Sequence, residues 1–264
     1  MSFWLKTALF ALGLSFTVSA AAKPDVECTL IVDASTGEQL VRQGACDQRF
    51  SPFSTFKLPL ALMGYDAGIL GDAQTPNWPY RAEYGGTTKD KQSTDPTRWQ
   101  HESILWYSRE VTRRLGTERF AAYVTQMGYG NRDVSGDAGK KNGLTHAWLR
   151  SSLAISPDEQ VAFLRRIDSR ALGLSDRAYS LSVAILPTFQ AGDWQVRGKT
   201  GTGWYREPSG KVRSDRPQGW FIGWAERNGR RITFARFERG LEPRDGMGPK
   251  VRDDFLKALP TLMR

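Results

Sequence analysis

Trp220-Phe221-Ile222-Gly223-Trp224-Ala225-Glu226, followed through Arg227-Asn228-Gly229-Arg230 by Arg231-Ile232-Thr233-Phe234-Ala235-Arg236-Phe237, is the stretch that decides the fold. Aromatic and β-branched residues dominate both flanks. Asn-Gly between them is a strong hairpin signal, because both residue types accept the positive φ of a two-residue turn. Just upstream, Trp194 to Lys199 reads as another strand. Near the other end of the chain, Val26 to Val32 alternates as a strand does. The turn Asp33-Ala34-Ser35-Thr36-Gly37 then leads into a second strand near Gln39 to Arg42.

Between these ends the pattern is helical. A helix is predicted from about Ser54 to Asp66, ending at Gly68, with Pro59 tightening or bending its first turns. Gly71 to Thr97, rich in Gly, Pro, Thr and Asp, reads as an irregular surface segment. Helical spacing returns between Ile104 and Leu115 and between Arg119 and Met127. Ser156-Pro157-Asp158-Glu159 is a capping box with Pro at the first helical position, which starts a helix reaching about Ile167. Asp176 to Ile185 and Val251 to Met263 are two more helices. Strands at both ends and helices between them predict an α+β fold, an α/β/α sandwich. One antiparallel sheet is built from both chain ends, and a helical lobe is inserted. The cleft between lobe and sheet is the natural place for a site.

The chain of 264 residues is 40% apolar and 25% charged, ordinary for a globular protein. Its start differs. Met1 to Lys6 carries one positive charge, Thr7 to Val18 is an apolar run, and Val18-Ser19-Ala20-Ala21-Ala22 supplies small residues suited to signal peptidase. Residues 1–22 therefore read as a secretory signal, with cleavage after Ala20 or Ala22, and 23–264 as a single catalytic domain. The run is too short to span a bilayer, which needs ~20 apolar residues. Export to an oxidising compartment makes Cys28 and Cys46 read as a disulfide, and two free buried thiols are the other reading. The net charge is +9, and loss of Lys6 with the signal lowers it by one. Acidic residues are interspersed from Asp158 to Asp176 and from Glu238 to Asp254, and no recognition helix, zinc spacing or ribonucleoprotein motif is present. The basic surface thus fits small anions or envelope surfaces better than nucleic acid, and no membrane insertion is expected after signal cleavage.

For chemistry, only two histidines are present, His101 and His146, with no G-x-S-x-G elbow and no metal-ligand spacing. What remains is Ser54-Thr55-Phe56-Lys57, an S-x-x-K at a helix start. Residues three apart share a helical face, so the Lys57 amine reaches the Ser54 hydroxyl and can take its proton. Free helix-start amides offer donors to a developing oxyanion. Alone the motif is weak, since about one chance match is expected in a chain of this length. Lys199-Thr200-Gly201, at the end of a predicted strand, strengthens it: S-x-x-K with K-T-G marks penicillin-recognising serine enzymes.

With these motifs the chain resembles the class D (OXA-type) serine β-lactamases over essentially its whole mature length. Ser103-Ile104-Leu105 occupies the place of that family's S-x-V, with Leu105 where the family has Val. Tyr129-Gly130-Asn131 matches its Y-G-N, Trp148 its loop tryptophan, and Trp220 to Trp224 its aromatic strand. The S-D-N and loop glutamate of class A are absent, and class C enzymes are longer.

The resemblance implies hydrolysis of penicillin-type antibiotics, and hence resistance, through an acyl-enzyme on Ser54. It implies no bound cofactor and no metal, but CO2 or bicarbonate that carbamylates Lys57 into a general base. Such a base requires an uncharged amine in an apolar pocket, for which Phe56 and Leu105 are candidate walls. Trp148 would donate its indole N–H to the carbamate. Ser103 would pass a proton to the leaving nitrogen, tuned by Lys199. Thr200, Gly201, Thr202 and Leu105 would bind substrate, with the Thr202 amide joining that of Ser54 at the oxyanion. Arg244, Lys250 and Arg252 all lie near the family's carboxylate-binding arginine, and none is assigned that role. Each residue also has a plainer reading: Trp148 a core aromatic, Ser103 a helix cap, Tyr129-Gly130-Asn131 a structural turn, Trp220 and Trp224 sheet packing. A penicillin sensor that stays acylated, a cell-wall transpeptidase, and a basic nucleic-acid or envelope-binding protein are the rival functions. Oligomeric state is not readable.

Overall fold

The structure, a computed structural model, describes residues 24–242 and 245–264 together with Met1. Met1 apart, the predicted signal segment lies outside the described residues, as does Arg244. The predicted hairpin is formed by β5 (Val212–Arg227) and β6 (Arg230–Arg239), paired antiparallel. Asn228 and Gly229 between them hold φ of 50° and 78°, the conformation their side chains tolerate best. The chain's first strands, β1 (Val26–Asp33) and β2 (Gln39–Gly44), extend the sheet beyond β6. β4 (Trp194–Arg206) and β3 (Thr188–Ala191) extend it beyond β5. The order is β2-β1-β6-β5-β4-β3, antiparallel throughout, so both chain ends build one sheet.

Period-two alternation divides the core into two layers. Ile31, Phe221, Ala225, Ile232 and Phe234 face one side and pack on α7 (Met247–Leu262). Leu30, Trp220, Ile222, Trp224 and Phe237 face the other. There they meet the helical lobe: α1 (Lys57–Asp66), α2 (Pro96–Glu102), α3 (Leu105–Gln126), α4 (Gly143–His146), α5 (Pro157–Asp168) and α6 (Asp176–Ala184). The result is the predicted α/β/α sandwich. α5 begins at the capping box: the Glu159 amide donates to Ser156 Oγ, and the Ser156 amide donates back to the Glu159 carboxylate. α3 joins two predicted helices into one element, broken at Gly116 (φ 76°, ψ 165°). The Cys28–Cys46 disulfide ties β1 to the segment after β2, with Cα atoms 5.1 Å apart.

Several boundaries differ from expectation. Ser54 stands in a 3-10 turn, Phe53–Phe56, and α1 proper starts at Lys57. Pro59 is then its third residue, within the first turn whose amides lack helical partners, so it breaks no hydrogen bond. α2 falls partly within the segment read as irregular; Asp95 caps it through the Arg98 amide, and Pro96 opens it. β3 had no distinct signal. β4 and β5 run past their predicted limits, because Gly201, Gly203 and Pro217 hide strand character. The glycines are there for contact: a Cβ on Gly201 would lie 2.8 Å from the Pro52 carbonyl, and one on Gly203 2.0 Å from the Phe53 ring.

Candidate active site

α1 is buried from Lys57 through Tyr65, an interior helix apolar on every face. Its first residue is a lysine, and the amine has nowhere to go but inward. Lys57 is 1% exposed, and its Nζ donates to Ser54 Oγ at 3.0 Å. Burial holds its pKa well below the ordinary lysine value, with the charges of Lys199 and Lys89 adding to the effect. The amine is thereby biased to the uncharged form. Gln100 Nε2, buried in α2, donates to the Lys57 carbonyl at 2.8 Å and holds the helix start. Phe56 is fully buried beside it, and Leu105, the first residue of α3, is half-buried against the same lobe core.

Trp148 packs onto the Ser54 turn. Its ring stacks on Phe56 with centroids 5.5 Å apart, and its carbonyl accepts the Phe53 amide at 3.1 Å. The indole Nε1 is buried with no hydrogen-bond acceptor. Trp194 shares that condition under the Arg227 guanidinium across the sheet, whereas Trp99, Trp106, Trp220 and Trp224 all find partners. An unpaired buried donor costs about 1–3 kcal/mol. Trp148 bears that cost beside the Ser54 turn, and Trp194 bears it on the far face of the sheet.

Ser103 does not cap the helix it precedes. It closes α2 in the left-handed region (φ 61°, ψ 38°), and α3 is capped by Ile104 without a side-chain bond. The turn aims its Oγ at Lys199 Nζ, which donates to it at 3.1 Å and to the Thr200 carbonyl at 3.3 Å. Lys199 is 2% exposed, and burial, then the charge of Lys89, pushes its pKa down to about 7. Thr200, Gly201 and Thr202 follow on β4, opposite Phe221, Trp220 and Gly219. The bare Cα positions of Gly201 and Gly203 let this strand lie against the Pro52–Thr55 turn. Thr202 Oγ1 accepts the Gly248 amide at 2.8 Å and so fixes the start of α7. Ser54, Lys57, Ser103, Lys199 and the Trp148 loop, from four separate segments, therefore converge.

Other candidates fall on the structural side. Gly130 has φ 53°, and a Cβ there would lie 2.2 Å from the Ala154 carbonyl; Asn131 Nδ2 donates to the Ser152 carbonyl at 2.7 Å. Tyr129-Gly130-Asn131 is thus a turn that ties down the end of the Trp148 loop. Trp220 and Trp224 are buried sheet residues. Lys250 is held by Glu238 and Asp254, while Arg252 pairs with Asp253 over the Phe189 ring. A cleft of about 860 Å³ between α5 and the two hairpin turns, lined by Arg165 and Arg231 among others, contains none of the converging residues.

Sequence reasoning missed Gln160. It is fully buried, and its Nε2 donates to Thr55 Oγ1 at 3.1 Å and to Tyr129 OH at 3.2 Å, supporting the Ser54 turn from beneath. The signal was available: Gln160 falls on the apolar stripe Pro157, Val161, Leu164, where a polar residue needs a reason.

The chain matches the family model of the penicillin-binding protein transpeptidase domain over residues 17–258. It is 47% identical to β-lactamase OXA-9 of Klebsiella pneumoniae, covering 97% of this chain and 96% of that protein. The crystal structure of the class D β-lactamase OXA-427 superposes with a TM-score of 0.83 at 41% identity, covering 89% of this chain and 97% of that one. The C-terminal domain of the Bacillus licheniformis BlaR penicillin-receptor shares the fold, with a TM-score of 0.76 at 21% identity over 89% of each chain. Identity of 47% to one β-lactamase over nearly the full length, together with the motif residues brought together by the fold, leads to one conclusion: the chain belongs to the class D, OXA-type β-lactamases.

Proposed function

We propose that this β-lactamase opens the lactam ring through an acyl-enzyme on Ser54, with Lys57 carbamylated by CO2 as its general base. The observation that supports this best is the buried, charge-depleted Lys57 amine 3.0 Å from Ser54 Oγ. An uncharged amine is the form that takes up CO2, and the buried, acceptor-less Trp148 Nε1 is a donor suited to hold the product. The carbamate, when formed, supplies an anionic oxygen base for the Ser54 proton.

The chain's own residues divide the remaining work. Ser54 Oγ loses its proton and bonds to the lactam carbonyl carbon. The C–N bond breaks, and the nitrogen takes a proton from Ser103 Oγ, which Lys199 Nζ replenishes across 3.1 Å. An amine with a pKa of about 7 donates and recovers a proton readily at neutral pH. Amides of Ser54 and Thr202 face the developing oxyanion in this reading, and Thr200 and Gly201 line the substrate strand. Water then attacks the acyl carbon and releases Ser54. A penicillin-type β-lactam is the substrate.

Secretion to the periplasm belongs to the same proposal. The Cys28–Cys46 disulfide favours an oxidising compartment. No helix among the described residues is long and apolar enough to cross a membrane.

The test is a penicillin hydrolysis time course with and without bicarbonate. Sustained turnover that rises with bicarbonate, and is lost in Ser54→Ala, is the expected result. A single burst followed by silence in both conditions would instead make this chain a sensor or transpeptidase, as the fold it shares with a penicillin receptor permits.

A further inference from the structure

Two cations hold the segments on either side of the Lys57 chemistry, and each does so through a neutral group. Lys89, in the 3-10 turn Thr88–Asp90, donates from Nζ to the Glu102 carbonyl at 2.7 Å. Glu102 ends α2 and directly precedes Ser103. Arg109, just past the first turn of α3, donates from Nε to the Thr145 carbonyl at 3.2 Å. Thr145 lies in α4, three residues before Trp148. Neither cation is part of an ion pair among the described residues. A carbonyl fixes the position of a charge without cancelling it, as a carboxylate would.

We propose that Lys89 and Arg109 are positioning residues whose uncancelled charges favour the carbamylated form of Lys57 over its ammonium form. The inference rests on the carbamate reading above. Carbamylation forms one N–C bond between the uncharged amine and CO2 and releases one proton to solvent, so the side chain ends as an anion. A fixed cation nearby raises the energy of the competing ammonium and lowers that of the anion. Both effects run in one direction.

The surrounding charges are consistent with this. After burial, Lys199, Lys89 and Arg109 all push Lys57 toward its neutral form, and Asp90 alone opposes them. Asp90 is itself buried, with its carboxylate accepting the Thr87 amide and hydroxyl, each at 2.7 Å. His101 and Arg252 act on or beside Lys199, and His146 lies beside Arg109. The ring around Lys57 is thus predominantly cationic, drawn from β4, α3 and the turn that bears Lys89.

The test uses the full mature protein with Lys89→Gln, Lys89→Arg and Arg109→Gln. Carbon-13 NMR of the carbamate carbon is recorded at graded labelled bicarbonate, alongside turnover of a chromogenic cephalosporin. In Lys89→Gln the bicarbonate concentration for half-maximal signal should rise about two- to five-fold, the scale of one partly screened charge. Arg109→Gln should shift it in the same direction but less far, and Lys89→Arg should resemble wild type. Turnover of the two Gln variants should recover at saturating bicarbonate. Unmoved midpoints, with a clear wild-type signal, overturn this proposal alone. Turnover that stays low while the carbamate signal is full also overturns it, since that reports displaced Ser103 or Trp148. A wild type with no carbamate signal removes the base assignment and this proposal together. If Arg109→Gln fails to fold, Lys89→Gln decides the matter, because Lys89 lies on the surface.

Discussion

Lys199 Nζ lies 3.1 Å from Ser103 Oγ across 96 residues of sequence, and both partners are held in unfavourable states to meet there. The amine is stripped of water, and the serine is held at a φ of 61° that non-glycine residues avoid. Such strain is sustained only where the surrounding packing imposes it. It also separates what stabilises the fold from what serves the reaction, and that separation is measurable.

Lys199→Met should give a more stable, inactive protein. The unfolded chain keeps this proton up to about pH 10.5, while the folded one releases it near 7. Between those values the unfolded state binds more protons, so stability rises with pH through that window, and the full penalty applies below 7. Removing the amine should raise stability at neutral pH by ~1–3 kcal/mol and flatten the rise toward alkaline pH. Urea denaturation of both proteins at several pH values from neutral to alkaline reads this directly. A Met variant less stable than wild type at neutral pH would mean the amine's hydrogen bonds outweigh its desolvation.

Ser103→Gly and Ser103→Ala should part company. Both lose the hydroxyl and should lose activity by a similar large factor. Glycine accepts the left-handed conformation, so Ser103→Gly should be more stable than Ser103→Ala by ~1 kcal/mol. Thermal unfolding of the two variants makes the comparison. Equal stabilities would show that the turn relaxes when the hydroxyl is gone.

Trp148→Phe keeps most of the stacking on Phe56 but removes an N–H that has no acceptor. Its melting temperature should therefore change little. Turnover should fall about ten- to a hundred-fold, the scale of losing one oriented support to a reactive group, and should be partly restored by bicarbonate. A large loss of stability with no response to bicarbonate would return Trp148 to the ordinary core.

Cys28→Ser with Cys46→Ser should lower stability by ~3 kcal/mol, the chain-entropy value for a loop of this size. The bridge lies at the β1–β2 edge, away from the β4 strand that holds Lys199. Turnover per folded molecule should stay at the wild-type level when checked well below the melting temperature.

Much of the architecture was legible because its signals are local. The Asn228-Gly229 turn, the Ser156 capping box and the strand from Val26 to Val32 each depend on residues a few positions apart, and each formed as read. β4 beyond Lys199 was not legible. Gly201 and Gly203 are weak strand formers, placed there because the Pro52 carbonyl and the Phe53 ring come within a Cβ's reach. The helix at Pro96 carried a readable Asp-Pro start that composition obscured. Gln160 was visible as a polar break in an apolar stripe, but not the turn it supports.

The sequence by itself determined the chemistry on offer and its local geometry: a serine and a lysine three residues apart, a second lysine in a strand, and the helices and hairpins that bear them. Only the tertiary structure decided the state of those groups. Lys57 is biased toward the uncharged amine because α1 is buried on every side, and burial on β4 brings the Lys199 amine down to about 7. Desolvation depends on what distant segments pack against a side chain, and Coulomb forces on where distant charges come to rest. Neither quantity exists until the chain has folded.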